Sequence, residues 1–110
     1  DRLLAFVSHL PQLTASVLMH VVGATAKEEG LALTGRGLFD GTRLAASPAD
    51  IWRDICRSNA DQIGEALDGF ISELQILRRN LETSREIDRI FGSAETWQSR
   101  LAAIRSNKRQ

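Results

Sequence analysis

The chain has 110 residues, with 14 Lys and Arg against 14 Asp and Glu, two His and one Cys. That length fits one domain burying roughly two-thirds of the surface its unfolded form exposes. A formal charge of zero leaves no cation excess to displace a phosphate counterion atmosphere, which argues against a nucleic-acid protein. A single Cys excludes an intramolecular disulfide and a Cys-based zinc site, so a reducing, cytoplasmic setting is expected. The first residue is Asp1 rather than Met, from which a piece of a longer chain is expected.

Two prolines, eight glycines and apolar residues spaced by three and four predict an all-α fold. The expected architecture is a compact bundle of about five to six helices. From Leu3 to Ala26 there is no charged side chain, a stretch long enough to span a bilayer. Ser8, His9, Pro11, Gln12, Thr14, Ser16 and His20 fall within it, where lipid would leave polar groups unpaired. A helix covered by protein on nearly all sides is the better reading, with a twin subunit or another domain supplying part of the cover. No membrane partner is expected.

Pro11 lacks an N–H and restricts Leu10, so the first helix should break or kink there. A second limb over residues 11–22 carries Leu13, Val17, Leu18, Val21 and Val22; Gly23 weakens it. A short helix through Lys27 is closed or interrupted at Gly30. Gly35, Gly37 and Gly41 argue against a rigid helix over residues 34–47 and would let backbone approach a ligand. Ser47-Pro48-Ala49-Asp50 reads as a capped helix start, and Trp52, Ile55 and Cys56 give that helix its buried side. A longer helix is predicted over residues 59–81, with Ile63, Ala66, Leu67, Phe70, Leu74, Leu77 and Leu81 on one face. Residues 84–91 read as a short helix ended by Gly92, and Ser93 as the cap of a last one carrying Trp97, Leu101 and Ile104. The basic tail of Arg100, Arg105, Lys108 and Arg109 reads as a solvated terminus.

The glycine run has one residue too many for G-x-G-x-x-G and no hydrophobic strand before it, so a dinucleotide fingerprint fails. His9 and His20 are eleven apart with no acid nearby, and no metal site is expected. His20 reads as a satisfied core residue. His9 lies in Ser8-His9-Leu10-Pro11-Gln12, a dense polar point in a charge-free helix, where such groups need partners. Arg43 offers a fork that matches a carboxylate, against the plainer reading of a salt bridge to Asp40 or Asp50. Trp52 and Trp97 read as core before ligand platforms.

Three segments in register carry a family resemblance: Asp1-Arg2 with Ser8-His9-Leu10-Pro11, then residues 37–45, then Ser47-Pro48 with Trp52-Arg53-Asp54-Ile55 and Asn59. Together they resemble the C-terminal helical domain of prephenate/arogenate dehydrogenases, over roughly residues 1–81. The resemblance implies a two-domain enzyme of tyrosine biosynthesis. An N-terminal Rossmann domain outside this chain would bind NAD or NADP and carry the catalytic His. Residues 1–110 would form the dimerisation and substrate domain, inactive alone, paired with its twin.

By the same resemblance, Arg43 would hold the ring carboxylate of prephenate or arogenate. Asp40, Thr42 and Gly37 would lie beside it, His9 would match the first His of the motif, and Trp52 would flank the pocket. Gln12 stands where many relatives have a second His that helps read the substrate side chain, and a Gln there cannot be cationic. Arg36 and Phe39 also depart from the family pattern. The alternative is a non-catalytic helical interaction or dimerisation module.

Overall fold

The computed structural model describes residues 1–108, so Arg109 of the basic tail lies outside the described residues. The described residues are helical with no strand among them, as the spacing predicts. Five helices follow in order: α1 (Arg2–Leu31), α2 (Arg36–Gly41), α3 (Ala49–Ser58), α4 (Ala60–Arg79) and α5 (Ser84–Lys108), with a 3₁₀ turn Arg43–Ala46 between α2 and α3. The chain divides into two units, Asp1–Gly69 and Phe70–Gln110.

In the first unit, α1 does not break at Pro11. Its backbone widens instead into a π turn, Ala5–His9, closed by the Leu10 N–H to the Ala5 carbonyl. A proline ring crowds the carbonyl four residues earlier and leaves it without a donor, and a wider turn just before the proline relieves both problems. Nor does α1 end at Gly23. The interruption falls at Lys27, at φ 55° and ψ −172°, a region that costs a residue with a Cβ of order 1–3 kcal/mol.

The core of this unit is small. Ala5 of α1, with no exposed surface, clusters with Ile63 and Ala66 of α4. Phe6, Leu10, Leu13, Ile55, Cys56 and Leu67 pack around that contact. The cluster combines two small side chains with one large one, Ile63. The other side of the charge-free helix is uncovered within this chain. Leu3, Val7, Val17, Leu18 and Val21 are exposed, and so is His20, against the expectation of a core histidine. By length and composition α1 could cross a bilayer, but its Ala5, Gln12 and Ala15 face is already packed against protein.

The glycine run is more regular than its composition suggests. Residues 36–41 form α2, and no glycine in the chain has a positive φ. Helical backbone is open to glycine at an entropic cost of about 1 kcal/mol each. Ser47 does not cap α3; Pro48 occupies the cap position with no side-chain bond.

In the second unit, α5 runs unbroken through Gly92, whose surroundings are open space. No second helix starts at Ser93. Arg89 of α5 reaches Glu73 of α4 at 2.7 Å and Glu86 of its own helix at 2.7 Å. Hydrogen bonds to Glu73 first and Glu86 second raise its guanidinium further above the usual arginine range. Phe91, Trp97, Leu101 and Ile104 are exposed, and Trp97, expected in the core, lies instead under the Arg100 guanidinium at 4.7 Å.

Replacing the strained residue tests the interruption of α1. Lys27→Gly should stabilise the protein by about 1 kcal/mol, because glycine enters that region without the Cβ penalty. Calorimetry should then register a rise in Tm of about 5 °C. A fall would mean that α1 is regular at Lys27.

Candidate functional site

The expected site residues fall into two clusters on the first unit, both built on α1. The first surrounds Gln12, which is 5% exposed. Its Nε2 donates to the Leu44 carbonyl at 2.6 Å and to Ser16 Oγ at 3.1 Å. Its Oε1 accepts from Ser47 Oγ at 3.1 Å. Both amide hydrogens and one carbonyl lone pair are thus committed within the protein. The 3₁₀ turn lies against α1 at this point and occupies the amide, leaving one Oε1 lone pair uncommitted. Ser47 is recruited here too, which accounts for its absence from the α3 cap.

The Gln12 bonds fix Leu44, and Arg43 precedes it in the same 3₁₀ turn. The Arg43 guanidinium is exposed and bonds Asp40 Oδ1 through one Nη at 2.9 Å, in an i,i+3 pair. It also lies 5.3 Å from the Phe39 ring centre. The plainer of the two sequence readings therefore describes the chain by itself. Exposed pairs of this kind contribute at most about 1 kcal/mol, and the arginine uses only part of its fork. Thr42 is buried, its hydroxyl donating to the Leu38 carbonyl at 2.6 Å to close α2. Its hydroxyl hydrogen is committed to the backbone. Around Gly37 a Cβ would meet nothing within 4 Å, so no group of this chain requires glycine there.

The second cluster surrounds His9, one helical turn before Gln12 and on the same side of α1. Its Nδ1 lies 3.3 Å from Asn59 Nδ2. Trp52 of α3 meets the imidazole edge-on, with ring centres 5.9 Å apart at 85°. Trp52 is half-buried, between the core and ligand-platform readings. Asn59 had no role assigned from sequence beyond its place in the family pattern. An Asn at a helix junction was the only signal, and it does not identify a histidine fifty residues away. No group of three or more metal-ligating side chains occurs among the described residues.

The Gln12 network carries a measurable consequence. Gln12→Ala would strand the Leu44 carbonyl and the Ser47 hydroxyl, at a cost of about 2 kcal/mol. Urea unfolding followed by helical circular dichroism should show a lower midpoint at unchanged slope. A change under about 0.5 kcal/mol would mean that the turn docks without the amide.

Comparison with known proteins gives one consistent result. Residues 1–94 match the family described as prephenate dehydrogenase, dimerization domain. A cyclohexadienyl dehydrogenase of Zymomonas mobilis subsp. mobilis is 38% identical over 81 residues, covering 71% of this chain and 28% of that protein. A prephenate dehydrogenase of Bacillus subtilis is 30% identical over 108 residues, covering 92% of this chain and 28% of that protein. A crystal structure assigned as a prephenate dehydrogenase of Corynebacterium glutamicum superposes with a TM-score of 0.85 at 28% identity, covering 96% of this chain and 33% of that one. The chain spans less than a third of the length of the curated relatives it matches. With three segments in register and an all-helical fold that superposes almost throughout, the chain belongs to the prephenate dehydrogenase dimerization-domain family.

Proposed function

We propose that this chain is the C-terminal substrate-and-dimer domain of a cytoplasmic, NAD(P)-dependent prephenate or arogenate dehydrogenase, which oxidatively decarboxylates its ring acid in tyrosine biosynthesis. The observation that carries the reading is the docking of the Arg43 turn onto α1 by the buried Gln12 amide, one helical turn from His9. That anchorage brings a fork suited to a carboxylate onto the helix that carries an imidazole donor. A substrate carboxylate would take Arg43 from Asp40, exchanging one exposed acid for another. Held in a bidentate grip, the carboxylate would be oriented for loss of CO₂ as the ring becomes aromatic. Trp52 would flank the ring, and Gly37 would leave room beside it.

The described residues do not fit a dinucleotide: the glycine segment is a short helix with no strand before it. The nicotinamide coenzyme that accepts the hydride is therefore assigned to another part of the enzyme, and no step here runs through it. The uncovered apolar stripe of α1 fits a twin subunit, in keeping with the family description. One observation favours the non-catalytic alternative, a helical interaction module: Arg43 is paired with Asp40 at an open surface.

Kinetics of an intact dehydrogenase containing this domain separate the two readings. Arg43→Ala should lower kcat/KM with prephenate or arogenate about a hundredfold or more, with the dimer mass unchanged. Unaltered kinetics would remove Arg43 from the site and favour the module. The dimer is tested by light scattering, where Val17→Asp with Val21→Asp should shift the protein toward monomer. A dimer untouched by both would locate the seam elsewhere.

A further inference from the structure

We propose that Asn59 is a positioning residue for His9, fixing the imidazole tautomer so that Nδ1 accepts and Nε2–H is the ring's hydrogen-bond donor. The donor half of this statement, directed at an oxygen of an acid substrate, rests on the function proposed above; the tautomer half does not.

Asn59 is rigid because it forms the corner between α3 and α4. Its N–H donates to the Ile55 carbonyl at 3.1 Å, and its carbonyl accepts from the Ile63 N–H at 2.9 Å. The side chain can therefore swing only about its own bonds. Its Nδ2 donates to the Asp1 carbonyl at 3.0 Å. A carbonyl only accepts, so the nitrogen and not the oxygen of the carboxamide must face this way, and the usual ambiguity of amide orientation is removed. The same nitrogen lies 3.3 Å from His9 Nδ1. An amide nitrogen has hydrogens and no available lone pair, so the imidazole nitrogen opposite it must be the acceptor. In the neutral ring the proton then belongs to Nε2.

Two further features hold the ring. Trp52 meets it edge-on, fixing its plane. His9 is also the last residue of the π turn, a widened piece of helix of the kind found often at functional sites. A histidine that served only as filler would need neither a fixed tautomer nor an oriented amide beside it. Asn59 would act on a ligand through His9 and not by touching it.

Histidine labelled with ¹⁵N reads this in the full chain, because there are only two histidines. His20 is exposed and provides the solvent-averaged reference. At pH about 8.5, above the ordinary imidazole range, His9 should carry its proton on Nε2 almost completely while His20 shows a mixture. Asn59→Asp replaces the donor by an acceptor, and should move the His9 proton to Nδ1 without altering His20. Asn59→Ala should bring His9 to the same mixture as His20. A wild-type His9 indistinguishable from His20 overturns the assignment even if neither variant folds, as does a tautomer unmoved in both variants. In the intact dehydrogenase, Asn59→Asp should lower kcat/KM at least about tenfold, as expected for loss of one oriented donor. A tautomer that switches while kinetics stay unchanged would retain Asn59 as the positioning group and overturn only the substrate role of His9.

Discussion

The arrangement of the first unit depends on one buried carboxamide. Gln12 is the buried polar side chain of a helix without charge from Leu3 to Ala26, and a polar group there is costly unless its bonds are met. The partners that meet them come from one turn further along α1 and from the segment between α2 and α3. That segment has little apolar surface of its own to hold it: Leu44 is exposed and the alanines are small. Hydrogen bonds to a single side chain thus do the work that burial does elsewhere. Because such bonds are directional, they fix the register of the turn as well as its attachment. Arg43 inherits a defined base from a residue it does not touch.

A different constraint shapes the outer side of α1. The cluster of Ala5, Ile63 and Ala66 is small, and no bulky side chain is fully enclosed. A charge-free stretch from Leu3 to Ala26 makes sense only where water is excluded along most of its length. Within this chain water is excluded on one side alone. Exposed Leu3, Val7, Val17 and Val21 form the apolar stripe that the proposed twin subunit would cover. The second unit has its own uncovered residues along α5, while Arg89 ties that helix to α4 by charge and not by burial.

Much of the fold was legible because helical periodicity survives wherever one face is packed. The span read for residues 59–81 differs from α4 by one or two residues at each end, as fraying allows. Glycine was the main source of error. Gly37 and Gly92 suggest interruptions, yet helices run through both; Gly30 does lie one residue from the end of α1, and the interruption within α1 is at Lys27. Glycine lowers helix propensity by about 1 kcal/mol, which neighbouring residues in a long helix readily offset. Lys27 carries no signal at all, since nothing in a lysine announces a positive φ. The site was legible by residue type and not by contact. His9 and Gln12 stood out as polar groups needing partners, but Asn59, Leu44 and Ser47 are remote in sequence, and only the packing of α3 and the 3₁₀ turn brings them in.

Arg43 is where the local and the wider readings meet. By itself the chain gives its guanidinium one acid, three residues earlier, with both side chains open to water. A pair so exposed is weak, and it holds the guanidinium at Asp40 without desolvating either partner. Under the proposed function, an incoming carboxylate would replace a contact of small value and would not have to break a buried one. It also fits the emptiness around Gly37, where this chain supplies no neighbour. The weakness of the Arg43–Asp40 contact in the single chain is thus compatible with the carboxylate-binding role proposed for Arg43.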